Sequence, residues 1–205
     1  MEYRTVEREA QDEFVEKRSR FIGYIKPVTE KQEAIDFINE KKSVHWDATH
    51  NVYAYILRKD NIQRYSDDGE PQGTAGIPVI DVLKKEGLCD VVVVATRYFG
   101  GILLGGGGLV RAYSHTAKIA VDAGNPVTMR LCSCMTVCCD YNFYGRLNSL
   151  VPEFSGVVDD TVFEENVSMK FHIPSESEAA FSAKLTDLSF GKVKAEKIGE
   201  IFCKI

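Results

Sequence analysis

The residues best suited to chemistry lie in one segment, RYFGGILLGGGGLVRAYS, which runs from Arg97 to Ser114. It holds six glycines and two arginines, and it follows the apolar run VVVVA. Glycines directly ahead of a helix leave backbone N–H groups bare, and the positive end of the helix dipole attracts anions to them. The segment therefore predicts a turn into a helix, where Arg97 and Arg111 add charged donors for an anion.

Two familiar nucleotide-binding motifs do not fit this segment. A P-loop needs a lysine directly after the glycine that closes its spacer, and Gly107 stands there after Gly106. The dinucleotide pattern G-x-G-x-x-G, begun at Gly105, reaches Val110 where a glycine is required. Two explanations stay open: a ligand approaches the bare backbone, or strand, turn and helix pack too closely for side chains.

A second unusual segment is YSDDGEPQGTAGIP, which places three carboxylates within four residues. Asp67, Asp68 and Glu70 could hold a magnesium ion, although the spacing of a calcium loop is absent. They could equally shape a turn, because Asp-Gly and Glu-Pro are turn formers in their own right. His50, in HWDATHNVYAY, is either a base or ligand, or a histidine of the core beside an apolar strand.

A basic cluster, KRSRF, opens the first strong strand pattern. Lys17, Arg18 and Arg20 stand beside the aromatic Phe21, a mixture typical of surfaces that bind a nucleic-acid backbone. A solvated strand start explains the same residues equally well.

The cysteines are predicted to be structural. Four of the six lie in LCSCMTVCC, and in a strand Cys132, Cys134 and Cys138 share one face. Cys132 and Cys138 are then about 20 Å apart at about 3.3 Å per residue. Zinc needs every sulfur at about 2.3 Å, so small core-filling residues are the better interpretation.

Composition indicates a soluble globular protein with a buried core: 205 residues, 44% hydrophobic, 27% charged, net charge −5. A negative net charge does not suggest that the protein surface as a whole binds nucleic acid, so such binding needs a local basic patch. The N-terminus is charged throughout and differs from a signal peptide, and the longest apolar run, Val91–Ala95, is too short to cross a membrane. We therefore expect a cytoplasmic protein that does not contact membranes.

Apolar periodicity divides the chain into two α+β domains, residues 1–126 and 127–205, at the seam AGNPVTMR. The first part begins with strand SRFIGYIKPV and a helix that is capped by Thr29, with Ala34, Ile35 and Ile38 facing inward. Strands HNVYAYILR and NIQRYSD follow, and then a helix from Thr74 to Lys85. The central strand VVVVATRY and a helix after the glycines complete this part. The second part follows the ferredoxin-like order β-α-β-β-α-β and ends in a strand with Ile201, Cys203 and Ile205 on one side.

Four of these segments together resemble the IMPACT/YigZ family: KRSRFIGYI, DATHNVYAY, YSDDGEPQGTAG and TRYFGGILLGGGGLVRAYS. The likeness covers roughly Arg18 to Gly124, and the glycine segment is the most specific part of it. One departure is Val52, where relatives often carry cysteine. The resemblance implies a β-α-β domain similar to domain IV of elongation factor G and a small ferredoxin-like domain like that factor's last domain. It also implies contact with RNA or the ribosome and a connection with translational regulation.

The leading hypothesis is a non-enzymatic protein that binds RNA or the ribosome and modulates translation, without a cofactor. No Ser/His/Asp, Cys/His or paired-carboxylate arrangement dictates a reaction. The residues expected at the RNA surface are Arg97, Tyr98, Phe99, Gly100, Gly101, Gly105, Gly106, Gly107, Gly108 and Arg111, extended by Lys17, Arg18 and Arg20.

The alternative is a magnesium-dependent enzyme that acts on a phosphorylated small molecule or nucleotide. Asp67, Asp68 and Glu70 then hold the ion, which requires their loop to lie close to Gly105–Gly108. A third hypothesis is a module that binds a protein partner.

Overall fold

The computed structural model describes residues 1–204, so Ile205, assigned above to the last strand, lies outside the described residues. The chain forms two compact units: one is Tyr3–Thr128, and the other begins at Met129 and includes Met1–Glu2. Both contain helices and strands, which confirms the α+β class. No helix among the described residues has the length and apolar character needed to span a membrane.

The first part of the chain contains six strands and three longer helices among the described residues. In chain order they are β1 (Glu2–Val6), β2 (Ala10–Glu16), β3 (Ser19–Pro27), α1 (Lys31–Val44), β4 (His50–Leu57), β5 (Ile62–Ser66), α2 (Gly76–Lys85), β6 (Val91–Tyr98) and α3 (Gly106–Ala123). Strands β2, β3, β6, β4 and β5, in that spatial order, form an antiparallel sheet. The charged strands β1 and β2 were not predicted.

Strand β6 is the central strand of this sheet, as its unbroken apolar run predicts. Val91, Val93 and Ala95 pack in one core with residues of α2 and α3. Val92 and Val94 point to the other face and pack in a second core with Phe37 of α1. Because successive side chains of a strand alternate between faces, a residue's position along β6 decides which helices it meets.

The start of α1 differs from the prediction. Glu30 is the N-cap, and Glu33 accepts from the amides of Thr29 at 2.7 Å and Glu30 at 3.1 Å. Thr29 therefore donates its backbone amide to the carboxylate of Glu33 and is not itself the N-cap residue. Ala34 and Ile38 face the core as expected, but Phe37 takes the buried place predicted for Ile35.

The second unit has the predicted ferredoxin-like order. Its elements are β7 (Pro126–Cys139), α4 (Tyr141–Glu153), β8 (Val157–Phe163), β9 (Val167–Pro174), α5 (Glu178–Leu188) and β10 (Ala195–Lys204). Strand β7 pairs antiparallel with β9 on one side and β10 on the other, and β8 pairs with β9. All six cysteines are free thiols.

Candidate functional site

The basic turn between β2 and β3 lies directly against the loop that follows β6. Lys17 and Arg18 are the two turn residues, with φ of 45° and 66°, which is the geometry of a tight primed hairpin. The amide of Gly100 donates to Ser19 Oγ at 3.2 Å, and a Cβ at Gly100 would overlap the backbone carbonyl of Arg18. Gly100 thus serves close packing, which brings two segments far apart in sequence together.

A cavity of about 280 Å³ opens beside this turn. We call it the Lys17 cavity; it is lined by Phe14, Glu16, Lys17, Leu104, Gly108, Arg111, Ala112 and His115. Lys17, Arg18 and Arg111 are exposed, and none of them enters an ion pair among the described residues. Their charges are therefore available to a ligand, although the carboxylate of Glu16 also lines the cavity.

The glycines at the start of α3 present bare backbone amides. Gly105 has a φ of 72°, which favours glycine, and the first bond of the helix runs from the amide of Leu109 to the carbonyl of Gly105. The amides of Gly106, Gly107 and Gly108 consequently have no backbone acceptor in the helix, and no side chain caps it. The side chain of Arg111 reaches back over Gly107, so charge and amides lie together.

Arg97 does not lie on the exposed surface where the sequence places it. Its side chain is only 6% exposed, and Nη1 donates to Glu70 Oε1 at 2.6 Å. The guanidinium lies between the rings of Phe21 and Phe99, at 5.4 and 5.3 Å from their centroids. The expectation of an exposed Arg97 was therefore wrong, because the odd-numbered positions of β6 face the core beneath α3.

Tyr98 and Arg20 lie on the opposite face of the sheet from Arg97. They are direct partners across β3 and β6, so their side chains share one face. The Tyr98 hydroxyl bonds His45 Nδ1 at 2.8 Å and donates to Asp47 at 3.2 Å, while Arg20 pairs with Glu13 at 2.6 Å. Neither residue joins the surface around the start of α3. Phe99 and Gly101, in contrast, are exposed on the loop after β6.

The carboxylates of the acidic loop are engaged by the protein itself. Asp67 accepts from the amides of Gly73, Ala75 and Gly76 at 2.9, 3.1 and 2.8 Å. Asp68 accepts from Lys42 Nζ at 2.7 Å and from the amide of Asn51 at 2.6 Å.

Glu70 is also engaged, through its pairing with Arg97. The carboxylate oxygens of the acidic loop are therefore not directed at one common point, as the ligands of a metal ion would be. Residues 1–204 contain no group of three His, Cys, Asp or Glu side chains arranged for a metal ion. Asp67, Asp68 and Glu70 therefore do not fit the predicted magnesium site, and they shape the turn instead.

A second cavity, of about 370 Å³, lies between the acidic loop and the glycines. We call it the Glu70 cavity; it is lined by Thr49, His50, Gly69, Glu70, Pro71, Arg97, Phe99, Leu103, Leu104, Gly105, Gly106 and Leu109. The acidic loop and the glycine segment are thus close in space, as the alternative hypothesis requires. Leu104 lines both cavities, so they flank the same end of α3.

Buried hydrogen bonds form the floor of the Glu70 cavity. Glu70 Oε1 accepts from Arg97 and, at 2.7 Å, from the Tyr113 hydroxyl. Burial, and next the negative charge of Glu70, raise the pKa of Tyr113, which therefore remains a neutral donor. His50 is partly buried and donates from Nδ1 to the carbonyl of Asp68 at 2.8 Å. His50 lies at the wall of a cavity and at the start of β4, a position that fits both roles predicted for it.

His115, Thr49 and Leu104 are among the residues of these cavities that the sequence did not predict. His115 follows Arg111 by one helical turn, and its ring packs edge-on against Phe14 with centroids 4.6 Å apart. The i, i+4 spacing was a signal that could have identified it. Thr49 accepts from the amide of Phe99 at 3.0 Å, and Leu104 lies between the two cavities. No pattern in the sequence around either residue predicts these positions.

Comparisons with known proteins agree with the two-unit architecture. Residues 17–121 match the Impact N-terminal domain, and residues 137–192 match a domain of unknown function, DUF1949. The chain is 40% identical to IMPACT family member YvyE of Bacillus subtilis over 191 residues, covering 93% of this chain and 88% of that protein. It is 33% identical to IMPACT family member YigZ of Escherichia coli, covering 90% and 92%.

A solved structure titled "Crystal structure of an hypothetical protein" superposes with a TM-score of 0.62 at 29% identity, covering 97% of this chain and 98% of that one. The glycine segment that forms the start of α3 lies inside the matched N-terminal domain. On the strength of both domains and of relatives matched over nearly their whole length, the chain belongs to the IMPACT family.

Proposed function

We propose that this protein binds single-stranded RNA through the surface around the start of α3 and modulates translation from the cytoplasm. The surface consists of Lys17, Arg18, Arg111 and the amides of Gly106 and Gly107. The observation that carries the proposal is the convergence of Lys17 and Arg111, which form no ion pair among the described residues, on the start of α3 at the Lys17 cavity, with Arg18 next to Lys17 in the same turn. The family's link to translational regulation supports RNA as the ligand.

The chemistry of this surface suits a phosphate backbone. Exposed lysine and arginine side chains release counterions when they neutralise phosphates, which drives binding without regard to sequence. Amides at a helix N-terminus bind one phosphate in a fixed position and so set the register of the strand. A local patch suffices for this, even though the chain as a whole carries a net charge of −5.

The test is the salt dependence of binding to a fluorescently labelled single-stranded RNA, measured for the full chain and for K17A and R111A. Each lost phosphate contact lowers the slope of log K against log salt by about 0.7. K85A is the matched control, because Lys85 is an exposed lysine at the end of α2, away from the proposed surface. Its neighbour Glu86 pairs with Lys118, which lies far along α3 from the start of that helix. Slopes unchanged in both variants would remove the proposed surface from RNA binding.

Association with ribosomes is the physiological extension of the proposal. Co-sedimentation with ribosomes should be reduced by K17A and R111A and unaffected by K85A. If all four proteins sediment alike, the surface around α3 has no part in that association, and a protein-mediated contact takes its place as the explanation.

A further inference from the structure

Two polar atoms that do not bond to each other face one another in the Glu70 cavity. Glu70 Oε2 lies 3.8 Å from His50 Nε2, and among the described residues no hydrogen bond to that carboxylate oxygen is formed. His50 Nδ1 bonds a backbone carbonyl, which can only accept, so Nδ1 carries a proton; in the neutral imidazole, Nε2 is then the acceptor. A ligand with adjacent N–H groups would satisfy both.

The floor of the same cavity holds one more unsatisfied group. Arg97 Nε is buried and has no hydrogen-bond partner among residues 1–204, and its side chain is only 6% exposed. Buried polar groups in proteins are nearly always paired, and unpaired ones call for an explanation such as a ligand. Arg97 lines the same cavity, but its Nε is itself sealed from solvent, so Glu70 Oε2 and His50 Nε2 are the polar atoms that face the cavity with spare bonding capacity.

The remaining walls suit a flat apolar body with a phosphate attached. Phe99 is 44% exposed and Leu103 is 82% exposed, an unusual degree for large apolar side chains beside a cavity. The opposite wall begins at Gly105 and Gly106, where the bare amides of α3 start. The volume of about 370 Å³ lies within the range of small-molecule sites.

We propose that the Glu70 cavity binds a guanine nucleotide, either free or as one residue of a single-stranded RNA. The guanine N1–H and N2–H₂ groups donate to Glu70 Oε2 and His50 Nε2, the ring lies against Phe99, and the phosphate meets the amides of Gly106 and Gly107 with Arg111. This inference rests on the proposed function, because both use the same helix amides for a phosphate.

The choice of guanine follows from the pattern of donors on the bases. Two neighbouring donors on the Watson–Crick edge occur in guanine alone. Adenine places one donor beside one acceptor, cytosine has one donor and two acceptors, and uracil places its single donor between two acceptors. An acceptor of another base opposite Glu70 Oε2 would leave a buried carboxylate oxygen without a bond, which is unfavourable. Glu70 and His50 therefore act as the residues that determine base specificity.

The first test is calorimetric titration of the full chain with GMP, AMP, CMP, UMP and inorganic phosphate, without divalent metal. GMP is expected to bind about tenfold or more tightly than the other nucleotides, the discrimination of one good pair of base hydrogen bonds. Equal affinities for all four nucleotides would overturn the base assignment. Absence of GMP binding would overturn the proposal that the cavity binds the free nucleotide. If the RNA experiment below also shows no preference for guanosine, the whole proposal is overturned.

Two variants test the named contacts. E70Q keeps the size of the side chain and its bonds at one oxygen but replaces Oε2 by a donor, so the preference for GMP should disappear. Because E70Q weakens a buried ion pair, F99L provides a second variant at an exposed position. It should lower GMP affinity about tenfold through lost stacking, whereas F190L, at an exposed phenylalanine of the second unit, should not. GMP affinity unchanged in folded E70Q and F99L would contradict the proposal.

A final experiment separates this inference from the proposed function. Binding of an oligouridine is compared with that of the same strand carrying one central guanosine, in the wild-type protein and in K17A. If K17A weakens both strands equally and neither strand is preferred, RNA binding stands and the guanine site fails. If free GMP binds but K17A and R111A leave RNA binding unchanged, the nucleotide site stands and the RNA surface fails.

Discussion

Arg97 and Glu70 form a buried ion pair, 2.6 Å between Nη1 and Oε1, in the floor of the Glu70 cavity. The pair joins β6 to the acidic loop, and Tyr113 of α3 donates to the same carboxylate oxygen. One carboxylate therefore connects strand, loop and helix. This arrangement gives Arg97 a structural role, and it leaves the other oxygen of Glu70 without a hydrogen bond among the described residues.

The first prediction concerns stability. R97A removes one partner of a buried ion pair and leaves Glu70 as an uncompensated charge, so the free energy of unfolding should fall by about 3–5 kcal/mol. Urea denaturation measures this directly. R20A is the matched control, because Arg20 pairs with Glu13 on the exposed part of the neighbouring strand and should lose about 1 kcal/mol or less. Equal losses in the two variants would show that the Arg97 pair is not effectively buried.

The second prediction separates packing from ligand approach at the glycines. A Cβ at Gly106 would meet no atom within 4 Å, so G106A should fold and gain about 0.4–1 kcal/mol by restricting the unfolded chain. RNA affinity should nevertheless fall, because the methyl group stands where a phosphate approaches the amide. G145A in α4 is the control: Gly145 is equally open, so stability should rise without any change in RNA binding. Unchanged RNA affinity in G106A would mean that RNA does not contact the backbone amide of Gly106.

The third prediction concerns the contact between the basic turn and the loop after β6. A Cβ at Gly100 would overlap the Arg18 backbone, which cannot rotate away as a side chain can. G100A should therefore lower the free energy of unfolding by about 1–3 kcal/mol, as overpacking does, and should also weaken RNA binding by displacing Lys17. Denaturation and anisotropy titrations check the two effects. A variant of wild-type stability would show that the turn and the loop do not pack this closely.

Much of this organisation could be predicted from the sequence, and the failures have physical causes. The apolar run of β6 and the alternation of β9 are strong local patterns, so the central strand and the ferredoxin-like order were predicted correctly. Strands β1 and β2 were missed because their exposed positions carry charged residues, which resemble a loop in sequence.

The candidate site was only partly predictable for the same reason. Arg97 and Tyr98 are adjacent in sequence and were assigned to one surface, yet a strand directs neighbouring side chains to opposite faces. The acidic residues looked like a metal site because sequence shows carboxylates but not the amides that engage them. What could be predicted was the exposed glycine entry to α3, since glycines before a helix are a local feature.

The fourth prediction is a pH dependence of stability from His45. Burial, and next the charge of Arg20, lower the pKa of His45 in the folded state below its ordinary value of 6.5. The neutral ring bonds Tyr24 at 2.6 Å and Tyr98 at 2.8 Å. A lowered folded pKa means that the unfolded chain takes up the proton first, so stability is present above pH 6.5 and is lost as the pH falls through the folded value.

Urea midpoints measured from about pH 7 to about pH 5 test this, because histidine titrates in that interval. H45Q should flatten the loss seen in the wild-type protein. A wild-type curve identical in shape to that of H45Q would contradict a neutral, buried His45.

The central claim is that RNA contacts the bare amides at the start of α3 beside Lys17 and Arg111. Amide chemical shifts during titration of the ¹⁵N-labelled protein with single-stranded RNA test it most directly. We expect the largest shifts at Gly106, Gly107 and Lys17, with little change around Tyr98 on the opposite face of the sheet. Shifts confined to the face of α1 or to the second unit, with the amides of Gly106 and Gly107 unmoved, would contradict this contact.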